Sequence, residues 1–181
     1  MRALILGGVK SGKSRYAEQF AADLLASNAL KSSVPSYESR ILIATAQALD
    51  EEMHARISKH REARDADWTV IEAPLDLAAA LSGLEGQKVV VIDCLTLWLT
   101  NLLMLEDEAK LEAAITEFLA ALEATAHAVI LVSNETNMGI MPLGDLTRRY
   151  CDRAGLLHQQ LAKRCNKVDL VVAGLPMSLK G

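Results

Sequence analysis

Short apolar runs punctuate the chain at residues 3–6, 41–44, 89–92 and 129–132, with a fifth at 170–173. Each run is continuous rather than alternating, which is the pattern of a strand covered on both faces and therefore of a parallel sheet. Between the runs lie segments with helical character, at residues 13–26, 50–64, 75–81, 108–124 and 143–163. Strands alternating with helices predict an α/β fold of three layers around a mainly parallel central sheet. Residues 27–40 hold Asn28, Pro35 and several serines between a helix and a strand, so they read as an exposed connection rather than a domain linker. No internal repeat or low-complexity stretch interrupts the pattern, and 181 residues suit a single domain over 1–181.

Composition narrows this picture by exclusion. Apolar residues make up 51% and charged residues 23%, an ordinary balance for a chain that buries a core. A net charge of -4 and a pI near 5.6 disfavour a nucleic-acid coat, which needs a basic surface. Cys94, Cys151 and Cys165 are widely spaced with no CxxC pair, so they indicate neither a disulfide framework nor a structural zinc site and are expected to be reduced. No apolar run approaches the roughly 18 residues of a membrane span. Met1 leads within a few residues into a glycine loop, leaving no room for a signal peptide, so the cytoplasm is the expected location.

That loop carries the strongest chemistry in the chain. Gly7-Gly8-Val9-Lys10-Ser11-Gly12-Lys13-Ser14 matches the P-loop pattern, with an apolar strand before it and an alanine-rich helix after it. Glycine lets backbone amides turn toward phosphate oxygens, and the following helix presents the positive end of its dipole to the same anion. Lys13 is expected to contact the β and γ phosphates, and Ser14 to offer its hydroxyl to Mg2+. A carboxylate at the end of a neighbouring buried strand usually completes such a site, and Asp93, after Val89-Val90-Val91-Ile92, is the candidate second metal contact. A helix cap or turn role for Asp93 is the plain alternative.

A second feature lies in residues 50–64. On a helix, Arg56, His60 and Arg64 line one face at four-residue spacing, while Met53 and Ile57 mark an apolar side. The flanking guanidiniums favour a neutral imidazole and attract an anion, the two conditions for a histidine to attack a nucleotide α phosphorus. Spacing alone favours the plainer reading, a solvated face whose basic residues pair with Glu52 and Glu62. His54 does not share a face with His60, and His127 and His158 carry no comparable constellation.

With five ordered motifs in hand, the chain resembles the bifunctional adenosylcobinamide kinase / adenosylcobinamide-phosphate guanylyltransferase family of cobalamin biosynthesis. The motifs are GGVKSGKSRYAE from Gly7, IATAQALDEEMHARISKHREAR from Ile43, VVVIDCLTLWLTNLL from Val89, SNETNMGIMP from Ser133, and the tail RRYCDRAGLLHQQLA followed by VDLVVAGLPMSLK. The resemblance runs nearly end to end and implies two reactions: phosphorylation of the aminopropanol hydroxyl of adenosylcobinamide with ATP or GTP, then transfer of GMP from GTP. It implies a GMP-histidine intermediate on His60, nucleotide contacts by Arg61, Glu62, Ala63 and Arg64, and further contacts by Thr45, Ala46, Gln47, Glu72 and Asp93. It also implies corrinoid and nucleotide substrates and a homo-oligomer, a trimer, whose neighbouring subunits help form the sites.

Two positions depart from the family's pattern: Asn137 stands where relatives commonly have glycine, and His158 replaces a frequent asparagine. Trp98 and Leu99, in an apolar helix, suit a core or an interface equally. Two other readings compete with the bifunctional one. In the first the chain is a P-loop kinase of a small metabolite, with His60 merely on the surface; in the second it is an NTP-dependent regulatory subunit.

Overall fold

The structure, a computed structural model, describes residues 1–29, 37–47 and 67–181. The helix expected at 50–64, with Arg56, His60, Arg61, Glu62, Ala63 and Arg64, lies outside the described residues.

Seven strands form one sheet: β1 (Arg2–Gly7), β2 (Ser39–Ala44), β3 (Trp68–Glu72), β4 (Lys88–Asp93), β5 (Ala128–Asn134), β6 (Lys167–Val172) and β7 (Leu175–Lys180). Their order is β3-β2-β4-β5-β1-β6-β7, and every neighbouring pair is parallel except β6 with β7. Among the described residues the helices are α1 (Lys13–Ala29), α2 (Leu77–Ser82), α3 (Leu95–Leu103), α4 (Glu108–Ala124) and α5 (Asp145–Arg164).

The side-chain period of two sends alternate strand residues to opposite faces, and two cores result. Ala3, Ile5, Leu42, Val89, Val91 and Ile130 pack with Ala17 and Ala21 of α1. Leu4, Leu6, Ile43, Ile92 and Leu131 pack with α2, α3, α4 and α5 through residues such as Leu77, Leu99, Phe118 and Leu157. The three-layer arrangement read from the sequence is thus the one adopted. Trp98 belongs wholly to the core: it is fully buried, donates from Nε1 to Leu75 O at 2.7 Å, and meets Phe118 edge-on at 5.2 Å between centroids.

Differences from the sequence pattern have local causes. The expected helix at 75–81 starts at Leu77 because the Asp76 side chain caps it, accepting from Ala79 N at 2.8 Å. β6 begins three residues before its expected start of 170 because Asp169, which interrupts the apolar run, is buried and paired. Its carboxylate accepts from Tyr16 Oη at 2.6 Å and faces Lys167 Nζ at 3.0 Å. β6 ends one residue early because Ala173, with φ 51°, and Gly174, with φ 80°, form a two-residue hairpin turn. β3 and β7 have no continuous apolar run: both lie at the sheet edges, and every residue of β7 is exposed, with Pro176 tolerated there because an edge strand can spare a ladder donor.

The Tyr16–Asp169 bond ties α1, and so the end of the glycine loop, to β6. Tyr16→Phe leaves the buried carboxylate with Lys167 as its remaining ion-pair partner, so we expect it to lower unfolding free energy by about 2 kcal/mol. Urea denaturation followed by circular dichroism measures this; an unchanged midpoint would show that the bond carries no stability.

Candidate active site

Because six strands run parallel, their C-terminal ends form one edge, the place where open α/β sheets bind ligands. Gly7 of β1 pairs with Asn134 of β5 and Val171 of β6, Ala44 of β2 pairs with Asp93 of β4 and Glu72 of β3, and Asp93 pairs with Val132. The described residues that the sequence pointed to as nucleotide contacts, from the glycine loop to Thr45, Ala46, Gln47, Glu72 and Asp93, therefore gather along this edge. Sequence reasoning alone had no means to order the strands.

The loop is tightly supported. Gly7 is required by close approach: a Cβ there would stand 2.6 Å from Val171 O and 2.5 Å from Ser11 Oγ. Lys10, with φ 56°, and Gly12, with φ 96°, both adopt the left-handed region and wrap the chain around the loop. Gly174 N, in the β6–β7 turn, donates to Ser11 O at 2.8 Å, and Gly12 packs against the Gly174 backbone. Lys13 is buried and donates from Nζ to Gly8 O at 3.2 Å, so its ammonium lies across the loop. The Ser11 hydroxyl is buried without a hydrogen-bond partner among the described residues. α1 starts at Lys13 with no acidic residue in its first turn, so the loop, the ammonium and the helix dipole all favour an anion.

Thr45 occupies a different kind of position. It is fully buried, donates from Oγ1 to Cys94 O at 2.7 Å and accepts from Cys94 N at 2.9 Å, while Asn101 Nδ2 donates to Thr45 O at 2.9 Å and Pro74 O at 3.0 Å. These bonds fasten the end of β2 to the turn after Asp93, whose peptide bond to Cys94 is cis. Asp93 itself is half-buried, and Cys94 begins α3 as its N-cap. Among the three cysteines, all buried and unpaired, burial pushes the thiols of Cys94 and Cys165 up to about 11, which leaves both unreactive.

A constellation around His158 escaped the sequence reading. Ser133 and Glu135, two residues apart at the end of β5, both meet the His158 ring from α5. Nε2 stands 2.8 Å from Ser133 Oγ, and Nδ1 stands 3.7 Å from Glu135 Oε2. Glu135 N donates to Gly7 O at 3.0 Å, fixing this group to the first residue of the glycine loop. Asn137 pins the segment after β5 to α5, because its Nδ2 donates to Cys151 O at 2.9 Å and its backbone N to Glu135 Oε1 at 2.7 Å. The available signal was Ser-Asn-Glu directly after an apolar strand, but the partner histidine is more than twenty residues away.

This edge joins a loop that favours an anion to several carboxylates, an arrangement suited to phosphate. The family model described as cobinamide kinase / cobinamide phosphate guanyltransferase matches residues 3–179. The chain belongs to that family. It is 50% identical over 182 residues to the bifunctional adenosylcobalamin biosynthesis protein CobP of Pseudomonas aeruginosa, covering 100% of this chain and 98% of that one. It is 35% identical over 195 residues to the bifunctional adenosylcobalamin biosynthesis protein CobU of Escherichia coli, covering 99% and 100%. The CobU protein of Salmonella typhimurium is likewise 35% identical over 194 residues, with 99% and 100% covered. A solved structure from Pyrococcus horikoshii OT3 shares the fold with a TM-score of 0.51 at 8% identity, covering 99% of this chain and 86% of that one. Membership makes the chain an enzyme of a family that joins kinase and guanylyltransferase activities. No helix among the described residues is long and apolar enough to cross a membrane.

His158 also predicts how stability responds to acid. Burial holds its imidazole below the ordinary value of 6.5, with the Glu135 carboxylate opposing the shift, and His127 is lowered in the same direction by burial and Lys88. Below pH 6.5 the unfolded chain therefore binds more protons than the folded one, so the stability present above that pH is lost as the pH falls. We expect Tm to drop between about pH 7.5 and 5 and His158→Asn to flatten the slope. Calorimetry across that range checks this; parallel slopes for the two proteins would contradict it.

Proposed function

We propose that this chain phosphorylates adenosylcobinamide with ATP or GTP and then transfers GMP from GTP to the phosphorylated product, giving adenosylcobinamide-GDP. The observation that carries the reading is the sheet edge on which the glycine loop, Lys13 and Asp93 meet, within a chain matched by the family from residue 3 to residue 179. In the kinase step the loop from Gly7 through Ser14 binds the triphosphate and Lys13 contacts its β and γ oxygens. Positioning then supplies most of the rate, because phosphoryl transfer asks little covalent chemistry of the protein.

Ser14 and Asp93 are hard oxygen donors at the same sheet edge, which suits Mg2+. When bound, magnesium spreads the charge of the phosphates as the terminal group leaves. Thr45, Ala46, Gln47 and Glu72 lie along the neighbouring strand ends and are suited to the rest of the nucleotide, with Thr45 acting through the backbone turn it fixes. In the guanylyl step His60 attacks the α phosphorus of GTP, expels pyrophosphate and carries GMP as a phosphoramidate, while Arg61, Glu62, Ala63 and Arg64 complete that contact.

The same reading makes the chain a homo-oligomer, a trimer, in the cytoplasm. β7 supports an assembly: it is an exposed edge strand carrying Leu175, Met177 and Leu179.

Incubation with GTP labelled at the α phosphate should leave an acid-labile label on the protein that His60→Ala abolishes. In coupled assays Lys13→Ala should cut kcat/KM of both reactions by about 100-fold or more, whereas His60→Ala should abolish guanylyl transfer and spare phosphorylation of the corrinoid. Equal loss of both activities in His60→Ala, or no label on the wild-type protein, would remove the histidine intermediate from the mechanism.

A further inference from the structure

Phosphorylation of a hydroxyl releases a proton, and the strand between the glycine loop and Asp93 is followed directly by a carboxylate, Glu135, suited to receive it. We infer that Glu135 is the catalytic residue that accepts the proton of the acceptor hydroxyl, and that His158 is a positioning residue that orients its carboxylate. This rests on the kinase activity proposed above.

Three observations converge on Glu135. Its backbone amide donates to Gly7 O at 3.0 Å, so it sits at the rim of the phosphate loop. Its two oxygens face different groups: Oε1 accepts from Asn137 N at 2.7 Å, and Oε2 lies 3.7 Å from His158 Nδ1. The chain just beyond it exposes Met138, Ile140, Met141 and Leu143, with Ile140 99% and Leu143 95% accessible. Exposed apolar side chains so soon after the carboxylate suit an acceptor that is large and partly apolar.

His158 is 7% exposed, and its Nδ1 is buried without a hydrogen-bond partner among the described residues. Taking the Ser133 hydroxyl as the donor to Nε2 across 2.8 Å assigns the remaining ring proton to Nδ1, which faces Glu135 Oε2 at 3.7 Å. The ring thus holds a single donor toward the carboxylate and Ser133 fixes the tautomer, the relation a base has to its orienting group. In the reaction the acceptor oxygen forms a bond to the γ phosphorus as the β–γ bridging P–O bond breaks. The hydroxyl proton passes to Glu135 Oε2 and then to solvent, leaving a nucleoside diphosphate and a phosphate monoester.

The test measures both half-reactions of the full-length protein, using cobinamide with ATP for the first and pre-phosphorylated cobinamide with GTP for the second. Glu135→Gln should lower kcat of phosphorylation by about 100-fold while the KM for ATP and the rate of guanylyl transfer stay within twofold. Glu135→Asp, which keeps a carboxylate, should recover part of that loss. His158→Asn, whose amide can still donate toward Glu135, should lose about tenfold in kcat, and His158→Leu, which cannot, should approach Glu135→Gln. Glu135→Gln within threefold of wild type overturns the inference. So does equal loss in Glu135→Gln and Glu135→Asp accompanied by lowered Tm, or identical behaviour of His158→Asn and His158→Leu. A wild-type protein inactive toward cobinamide would instead defeat the functional reading on which the inference stands.

Discussion

The candidate active site depends on one steric constraint: the chain at Gly7 must pass where no side chain fits. The carbonyl of Val171 and the hydroxyl of Ser11 occupy the space a Cβ would need, so β1 can turn into the loop only with glycine there. That close packing exists because β1 is held between β5 and β6, with six residues paired on one side and five on the other. The β6–β7 turn then reaches over to bond Ser11, and Tyr16 bonds back to Asp169 of β6. An anion site made of backbone amides works only when those amides are fixed before the ligand arrives, and the loop is fixed from three directions.

The energy that maintains this frame comes from the two cores rather than from surface charge. Arg149 and Arg153 of α5 pair with Glu108 and Glu112 of α4, and Arg164 pairs with Glu123, but all these groups are at least partly solvated. Exposed pairs of this kind contribute about 0–1 kcal/mol each, whereas truncating a buried aromatic such as Trp98 or Phe118 costs about 3–5 kcal/mol. The ion pairs align α4 with α5; the apolar faces hold both helices on the sheet. α5 in turn carries His158 to Ser133 and Glu135 at the end of β5, so helix packing sets the position of that group.

Elements buried on both sheet faces were legible in the chain because continuous apolarity survives without knowledge of partners: β1, β2, β4 and β5 all stand where runs of valine, leucine and isoleucine stand. β3 and β7 were not, since an edge strand needs no such run, and Lys167 and Asp169 concealed the start of β6 for the opposite reason, a charge buried with its partner. The glycine loop was legible because its function is local, made by eight consecutive residues. The Ser133, Glu135 and His158 group was not, because its members meet through the pairing of β5 with β1 and the packing of α5, neither of which leaves a spacing to count. Asn137, which the resemblance marked as a departure, donates to Cys151 O, a bond that only the fold reveals.

On this account a nucleoside triphosphate binds along the C-terminal edge of the sheet, between the glycine loop and the ends of β4 and β5. Hydrogen–deuterium exchange of the full chain with and without magnesium GTP measures this without altering any residue. Slowed exchange is predicted in peptides covering Gly7 through Ser14, Asp93–Cys94 and Ser133 through Glu135, with α4 unaffected. Slowed exchange confined to other segments, with the glycine loop unchanged, would contradict the account.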